Sequence, residues 1–369
     1  MGSELYFFPR RARARFLIGF LIAFLAPRFK PQYTLKSGMI SLANLQKMVT
    51  SHTPAHPSTA NTIAIVLSTY NGAKYVGAQL DALIAQTYSD WRCYIRDDGS
   101  KDNTPSILQQ YAALDARIVF LDDKKGNMGL NASHYYLLAI PSEDYIATCD
   151  QDDVWHANKL AVSLAKLKAI ETTKKIPALV HTDSIVADSN LKPMQAKFIG
   201  KRGLNETLNG ILFANSVQGG SILMNQSLRD ICLLAPPVLP YDYHVGLIAN
   251  LTGVRGFVAE TLLQYRQHSA SSIATSIGKQ SSKNANISPS LRLSLSGYHH
   301  IKHDFNNLSF SHQAHVLLTD YFYLYEGNSR LKKCWILLKN KYPFYRRKDF
   351  AELLFLLIKN ENLRKLIAL

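Results

Sequence analysis

The stretch Tyr145-Ile146-Ala147-Thr148-Cys149-Asp150-Gln151-Asp152-Asp153 decides how this chain folds. A strand-like, mostly apolar run passes straight into three carboxylates, at 150, 152 and 153. At the end of a buried strand such charges repel one another, so they imply a cation, and a metal-bound diphosphate is the commonest occupant of such a place. Upstream, Arg96-Asp97-Asp98-Gly99-Ser100 repeats the pattern after the apolar-rich run Trp91-Arg92-Cys93-Tyr94-Ile95. Two acidic strand ends require one polar ligand between them.

The segments between these motifs alternate. Thr62-Ile63-Ala64-Ile65-Val66-Leu67 is a continuous apolar run, as expected of a strand covered on both faces. It ends in the polar loop Ser68-Thr69-Tyr70-Asn71-Gly72, followed by a helix-like stretch from Ala73 to Gln86. Asn103-Thr104-Pro105 reads as a helix cap with proline in the first turn. A strand over Arg117 to Leu121, a glycine-containing loop and a helix around Ser133 to Leu138 lead back to the Asp150 strand. The βαβαβ rhythm predicts an α/β fold with a mostly parallel central sheet and loops gathered at the carboxyl ends of the strands. Both acidic motifs then share one crevice.

The chain has 369 residues, 47% of them apolar, enough for a substantial core. Its net charge of +15 is unevenly placed: residues 1–35 carry Arg10, Arg11, Arg13, Arg15, Arg28 and Lys30 against Glu4 alone, and a second basic block runs from Arg330 to Lys348. Beside the first block lies the uncharged run Phe16 to Ala26, stopped by Pro27. At ~1.5 Å per residue it covers roughly half of a ~30 Å hydrocarbon core, which fits a shallow or in-plane anchor better than a spanning helix. A signal peptide and an ordinary core helix are the competing readings. Around the second block, Trp335, Tyr342, Phe344 and Tyr345 stand among lysines and arginines, as in an interfacial helix, although helices packed on the catalytic domain with a solvated basic face fit too. Cys93, Cys149, Cys232 and Cys334 are widely separated with no C-x-x-C pair, which argues for a reducing cytoplasm and against a zinc site.

Together, Leu67 to Gly72, Asp97-Asp98-Gly99-Ser100-Lys101-Asp102-Asn103-Thr104, Gly126-Asn127-Met128-Gly129 and Asp150-Gln151-Asp152-Asp153-Val154-Trp155 resemble the family 2 glycosyltransferases, and within them bacterial rhamnosyltransferase-like members. The resemblance runs from about Thr62 to Ser272. It continues through His181 to Asp188, Asn215 to Asn225, Tyr241-Asp242-Tyr243-His244 and Gln264-Tyr265-Arg266-Gln267-His268, and the chain departs from its relatives at Ala132-Ser133-His134. The resemblance implies a glycosyltransferase A-type, nucleotide-diphosphate-sugar binding fold over residues 62–275, divided into a nucleotide-sugar half (62–160) and an acceptor half (161–275). Residues 1–61 are then a membrane-associating segment and linker, and 276–369 a Ser-rich linker with a basic, helical, membrane-associating region.

The resemblance also assigns roles. Ser68, Thr69 and Tyr70 line the nucleotide pocket, Asp98 accepts from the base, Asp150 reaches the ribose hydroxyls, and Asp152 holds a divalent metal, Mg or Mn. Asp153 orients the loop, Arg266 and His268 contact the diphosphate, and Gly219, Gly220 and Trp155 face the sugar and acceptor. The acceptor hydroxyl, with a pKa far above neutral, needs a base within hydrogen-bond reach. Asp242, after Pro240 and Tyr241 and opening the helix-like run Tyr243 to Leu251, is the candidate, with His244 as its substitute and a plain helix cap as the bland alternative.

The implied activity is metal-dependent, inverting transfer of a sugar, with dTDP-L-rhamnose the donor by resemblance. The implied acceptor is a lipid-linked glycan, at the cytoplasmic face of the inner membrane, with anionic lipid as a partner and no nucleic acid. A nucleotidyltransferase would need basic side chains around a triphosphate near the first loop, where only Lys74 stands. A non-catalytic scaffold would not need Asp98, Asp152 and Asp242 intact together. No nucleic-acid-binding motif accompanies the basic blocks.

Overall fold

The computed structural model describes residues 61–173, 176–199, 206–234, 239–268, 289–305, 308–342 and 347–359. The basic N-terminal block, the Phe16 to Ala26 run and the Ser-rich stretch therefore lie outside the described residues. Strand β1 (Ile63–Thr69) is buried along its whole length, as its uninterrupted apolar run requires. Parallel to it on one side lie β2 (Trp91–Asp97) and then β3 (Ile118–Leu121), and on the other side β4 (Tyr145–Asp150). The register pairs Thr69 with Asp97 and Ser68 with Asp150, so β1 is flanked at its carboxyl end by both acidic motifs. The order β3-β2-β1-β4 places the change of winding direction at β1, where α/β sheets open their ligand crevice.

Three helices connect these strands: α1 (Val76–Ile84), α2 (Thr104–Leu114) and α3 (Leu130–Leu138). Helix α1 starts later than its apolar pattern suggests, because Asn71 sits at a φ of 47° and the Gly72 carbonyl accepts from Tyr75 and Val76 in a tight turn. After β4 come the two-residue β5 (Val154–Trp155), α4 (Lys159–Ile170), β6 (Ala178–Ala187) and β7 (Pro193–Gln195). Then follow α5 (Leu208–Phe213), a single turn of 3-10 helix at Gly219–Ser221, β8 (Leu223–Asn225), α6 (Gln226–Leu234), α7 (Tyr241–Thr252) and the long β9 (Val254–Arg266).

The full strand order is β3-β2-β1-β4-β8-β6-β9-β5, with β7 on β6. Strand β8 runs antiparallel to both β4 and β6, β9 is parallel to β6, and β5 pairs antiparallel with β9. The sheet is thus parallel through the nucleotide half and mixed beyond it. Helices α1, α2 and α4 share one apolar cluster with the strands, including Leu80, Leu108, Leu160 and Leu164. Helices α3, α6 and α7 pack on one another, with α3 against β1.

The C-terminal helices are α8 (Pro289–His303), α9 (His312–Glu326), α10 (Arg330–Asn340) and α11 (Arg347–Lys359). Their inner side packs on the catalytic part through aromatic rings. Phe213 of α5 meets Tyr321 and Tyr342 with centroids 5.8 and 4.7 Å apart, and His244 of α7 meets Phe305 at 5.3 Å. Among the described residues no helix is long and apolar enough to cross a membrane.

Candidate active site

The carboxyl ends of β1, β2 and β4 and the end of β9 converge on the acidic motif. Loop residues are tied there by side chain to backbone bonds, since a loop must find partners for its own polar groups. Gln151 binds Tyr70 reciprocally: the Tyr70 amide donates to its Oε1 at 2.9 Å, and its Nε2 donates to the Tyr70 carbonyl at 3.1 Å. The Asn71 amide donates to Ser100 at 2.7 Å, and Asn71 in turn accepts from the Lys101 amide at 2.8 Å. Three loops become one rim.

Asp98 is built into the wall of this rim. Its carboxylate accepts from the amides of Met128 and Gly129 at 2.7 and 2.8 Å and from the buried Arg96 guanidinium. Arg96 also pairs with Asp123 at 2.8 Å and donates to the Gly126 carbonyl at 2.6 Å and to Ser133 at 3.1 Å. Gly99 has a φ of 80°, and a side chain there would crowd the Asn127 amide. The Gly126-Asn127-Met128-Gly129 loop is thereby fixed against the end of β2. At 3% exposure and with both oxygens engaged, Asp98 forms part of the pocket wall at the end of β2. Ser68 and Thr69 are likewise buried, donating to Ser133 at 2.7 Å and to Asp97 at 2.9 Å, while Tyr70 stands 45% exposed at the mouth.

The three carboxylates of the motif have three environments. Asp152 points to the open side, where its Oδ2 lies 2.8 Å from Nε2 of His268. Asp153 is buried and accepts from the Arg266 amide at 3.1 Å; burial, then the charges of Asp150 and Asp152, hold its carboxyl well above the usual range. Asp150 accepts from the Tyr241 hydroxyl at 2.7 Å, and its carboxyl is pushed up to about 7 by burial and then by Asp152, with the Tyr241 bond opposing. Pairing of Val154 with Gln264 and of Trp155 with Leu263 brings Arg266 and His268 to the motif across a long sequence separation. Arg266 spends its donors on the carbonyls of Asp152 and Ser189, both at 2.7 Å, and its guanidinium lies 4.7 Å from the Tyr75 ring centroid. These two bonds tie the end of β9 to the acidic motif.

Gly219 and Gly220 are buried beneath these acids. A Cβ at Gly219 would come within 1.8 Å of the Tyr241 hydroxyl, and one at Gly220 within 2.7 Å of Asp153 Oδ2. Their lack of a side chain makes room for the protein's own acidic motif and Tyr241. Trp155, expected to face the sugar and acceptor, is 3% exposed and its ring lies in the core, with the fully buried Lys159 ammonium 3.6 Å above it. Burial pulls the Lys159 amine down to about 7.

Asp242 lies in the first turn of α7. It accepts from the Tyr243 amide at 2.7 Å and from Asn215 at 3.5 Å, and burial raises its carboxyl to about 6. Its charge adds to the upward push on the Asp150 carboxyl. His244 is fully buried, edge-on to Tyr135 and Phe305, with its imidazole pushed down to about 3 by burial, and offers no substitute base.

Several contributors carried no expected role. Tyr241 bridges α7 to Asp150, and His134 stacks on the Tyr241 ring at 3.9 Å and 10°. Asn131 accepts from the Tyr241 amide at 3.2 Å and donates to the Leu239 carbonyl at 3.1 Å. Helix α3 thus sets the start of α7. Only the adjacency of Tyr241 to Asp242 could have flagged it.

Among the described residues no group of three or more His, Cys, Asp or Glu side chains is placed to hold a metal ion by itself. The donor set fits a cation shared with a bound ligand: one exposed-side carboxylate, Asp152, and one imidazole, His268, beside two carboxyls with raised protonation.

Residues 64–217 match the family model described as glycosyl transferase family 2. The match covers β1 to the turn before Gly219, so this part of the chain is similar to the family 2 glycosyltransferases. An uncharacterized protein of Mycobacterium tuberculosis H37Rv is 25% identical over 209 residues, 56% of this chain and 59% of that protein. An uncharacterized glycosyltransferase of Nostoc is 27% identical, covering 60% and 70% of the two chains. An Escherichia coli protein named as a UDP-Glc:α-D-GlcNAc-diphosphoundecaprenol β-1,3-glucosyltransferase is 30% identical over 105 residues, 28% of this chain and 40% of that one. The chain thus aligns with about three fifths of the mycobacterial relative's length. In three dimensions it is similar to residues 1–349 of TarS from Staphylococcus aureus, solved with UDP-GlcNAc, at a TM-score of 0.51 and 12% identity over 76% and 80% of the two chains. That likeness places the fold among the glycosyltransferase A-type folds.

Proposed function

We propose that the chain transfers a sugar from a nucleotide diphosphate donor to a hydroxyl of a lipid-linked glycan, with inversion at the anomeric carbon. One observation carries the reading: Asp152 lies against His268 beside the end of β4, and Tyr241, which opens α7 directly before Asp242, donates to Asp150 of the same acidic motif. The rim formed by Tyr70, Gln151 and the Asp98 wall holds the nucleotide. When bound, a divalent cation, Mg or Mn, held by Asp152 and His268, supplies Lewis-acid stabilisation of charge on the departing diphosphate.

Asp242 takes the proton of the acceptor hydroxyl as its oxygen attacks the anomeric carbon. The bond from that carbon to the diphosphate oxygen breaks, and its electron pair leaves with the nucleoside diphosphate. One base on the face opposite the leaving group makes this a single displacement. A carboxyl raised to about 6 suits the task, being a stronger base than an ordinary aspartate yet ionised near neutrality.

The wider resemblance to rhamnosyltransferase-like members supports dTDP-L-rhamnose as donor. The name of the Escherichia coli relative supports a diphosphoprenol-linked acceptor. The uncharged Phe16 to Ala26 run with its arginines supports peripheral attachment to anionic lipid at the cytoplasmic face of the inner membrane. Incubating the protein with a panel of nucleotide sugars and prenyl-diphosphate glycans, and following nucleoside diphosphate release, tests this. Acceptor-dependent release from dTDP-rhamnose is expected; release from UDP-glucose alone would reassign the donor, and release from none would remove the transferase reading.

A further inference from the structure

Helix α10 carries two opposite faces. Ile336 and Leu337 are buried against the body of the protein, whereas Leu331, Trp335 and Leu338 are 85%, 55% and 68% exposed. The spacing of four and three residues puts those three side chains on one stripe of the helix. Large apolar groups gathered on one stripe in water mark a contact surface. The helix is held firmly in place: Ser329 caps its start by accepting from the Lys332 amide, and Asn209 of α5 donates to the Asn340 carbonyl at its end at 3.1 Å.

We infer that this stripe is the face by which the protein rests on an anionic lipid bilayer. The inference rests on the peripheral membrane reading above and names the surface that makes the contact. From Arg330 to Lys348 the sequence holds eight Lys and Arg residues and no Asp or Glu. The neighbouring Asp320 pairs with Lys339 at 3.0 Å, and Lys339 sits 4.8 Å from the Trp335 ring centroid, bracing the indole. Lys332 lies over Tyr323 at 4.1 Å, and Arg330 and Lys332 are exposed beside Leu331. An indole and two leucines ringed by cations match the depth order of a bilayer surface, with apolar groups at the acyl boundary and ammonium groups at phosphates.

Other occupants fit less well. A second copy of this chain would set the same basic segments against each other, and like charges disfavour that. Nucleic acid would use the cations but leave Leu331 and Leu338 without a role. With 11 residues, α10 is too short to cross a bilayer, so it lies in the plane of the interface.

Tryptophan fluorescence tests this directly, because the chain has three tryptophans and the other two, Trp91 and Trp155, are each 3% exposed. The full-length protein is mixed with phosphatidylglycerol-rich vesicles, with and without brominated acyl chains, and with phosphatidylcholine vesicles. Expected are binding to the anionic vesicles, a blue shift of the emission and at least twofold quenching by bromolipid, the shift and the quenching being lost in Trp335→Phe. A Leu331→Ser/Leu338→Ser variant, with unchanged circular dichroism, should show at least fivefold weaker vesicle binding and little quenching. Binding without quenching of Trp335 would overturn the inference while leaving membrane attachment standing through another segment. No binding to anionic vesicles would overturn both. A blue shift that depends on protein concentration alone, or appears only with DNA, would assign the stripe to a second copy or to nucleic acid and overturn it too.

Discussion

The residue that most needs its neighbours is Tyr241. Its hydroxyl donates to the Asp150 carboxylate, and its position immediately before Asp242 makes it the link between the acidic motif and the start of α7. Removing a hydrogen bond to a charged or partly charged group costs ~1.5–3 kcal/mol where it matters. Tyr241→Phe should therefore lower kcat/KM by roughly ten- to a hundredfold, with steady-state assays on purified variants as the check. Asp242 gives a prediction with a definite sign. Its folded-state carboxyl is raised from 3.8 to about 6, so protonation of the base at low pH should switch the reaction off. The rate should rise with pH through about 6 and then level off, because only the ionised form accepts the proton. The same shift acts on stability in the opposite sense: the group favours the fold below its unfolded pKa, and that benefit is lost as pH rises through about 6. Asp242→Asn should thus melt higher than the wild type at pH 8, by on the order of 2 °C, while losing turnover. A melting point below that of the wild type would show that the ionised carboxylate is stabilised in place.

At the scale of elements, what was legible in the sequence divides by range. Strands β1, β2 and β4 announce themselves, because a strand covered on both faces must be apolar throughout, and the acids that end β2 and β4 mark where the sheet meets water. The short β5 and β8 and the 13-residue β9 do not, because their pairing depends on partners far away in sequence. That is why Arg266 and His268 could be singled out by resemblance but not placed. Trp155, assigned to the sugar and acceptor side, lies in the core for a plain reason. A residue type suited to a ligand is equally suited to the protein's own interior, and only packing distinguishes them. The 3-10 turn gives the sharpest case. Gly219→Ala would drive a methyl into Tyr241 and Asp150 and should cost ~1–3 kcal/mol of stability as an overpacking change, together with most of the activity. Denaturant melts and activity at matched folded fraction check this, and normal activity in a fully folded Gly219→Ala variant would show that the turn tolerates a shift of Tyr241.

For the whole molecule, the basic segments bear on where the chemistry occurs. The C-terminal helices close over α5 and α7 with aromatic contacts, so they are part of the folded body and not a tail, while α10 keeps one apolar stripe outward. The N-terminal arginines and the run ending at Ala26 lie outside the described residues, and their role rests on composition. Deleting residues 1–35 should move the protein partly into the soluble fraction and make its remaining vesicle binding more salt-sensitive, since cations near anionic lipid contribute about 1 kcal/mol each and are screened by salt. Activity on a water-soluble acceptor analogue should persist. Unchanged vesicle binding and salt response after truncation would assign the run to the folded body.

The most direct measurement of the central claim compares donor binding and single-turnover sugar transfer in the wild type, Asp152→Ala and Asp242→Asn, with Mn or Mg present and after chelation. The wild type should bind the nucleotide sugar and transfer it with inversion, and chelator should abolish transfer reversibly. Asp152→Ala should lose donor affinity and turnover together. Asp242→Asn should bind the donor nearly as the wild type does yet transfer at least ~10³-fold more slowly, because the lost interaction exists mainly in the transition state. Wild-type transfer by Asp242→Asn, or full activity in metal-free buffer, would contradict the account.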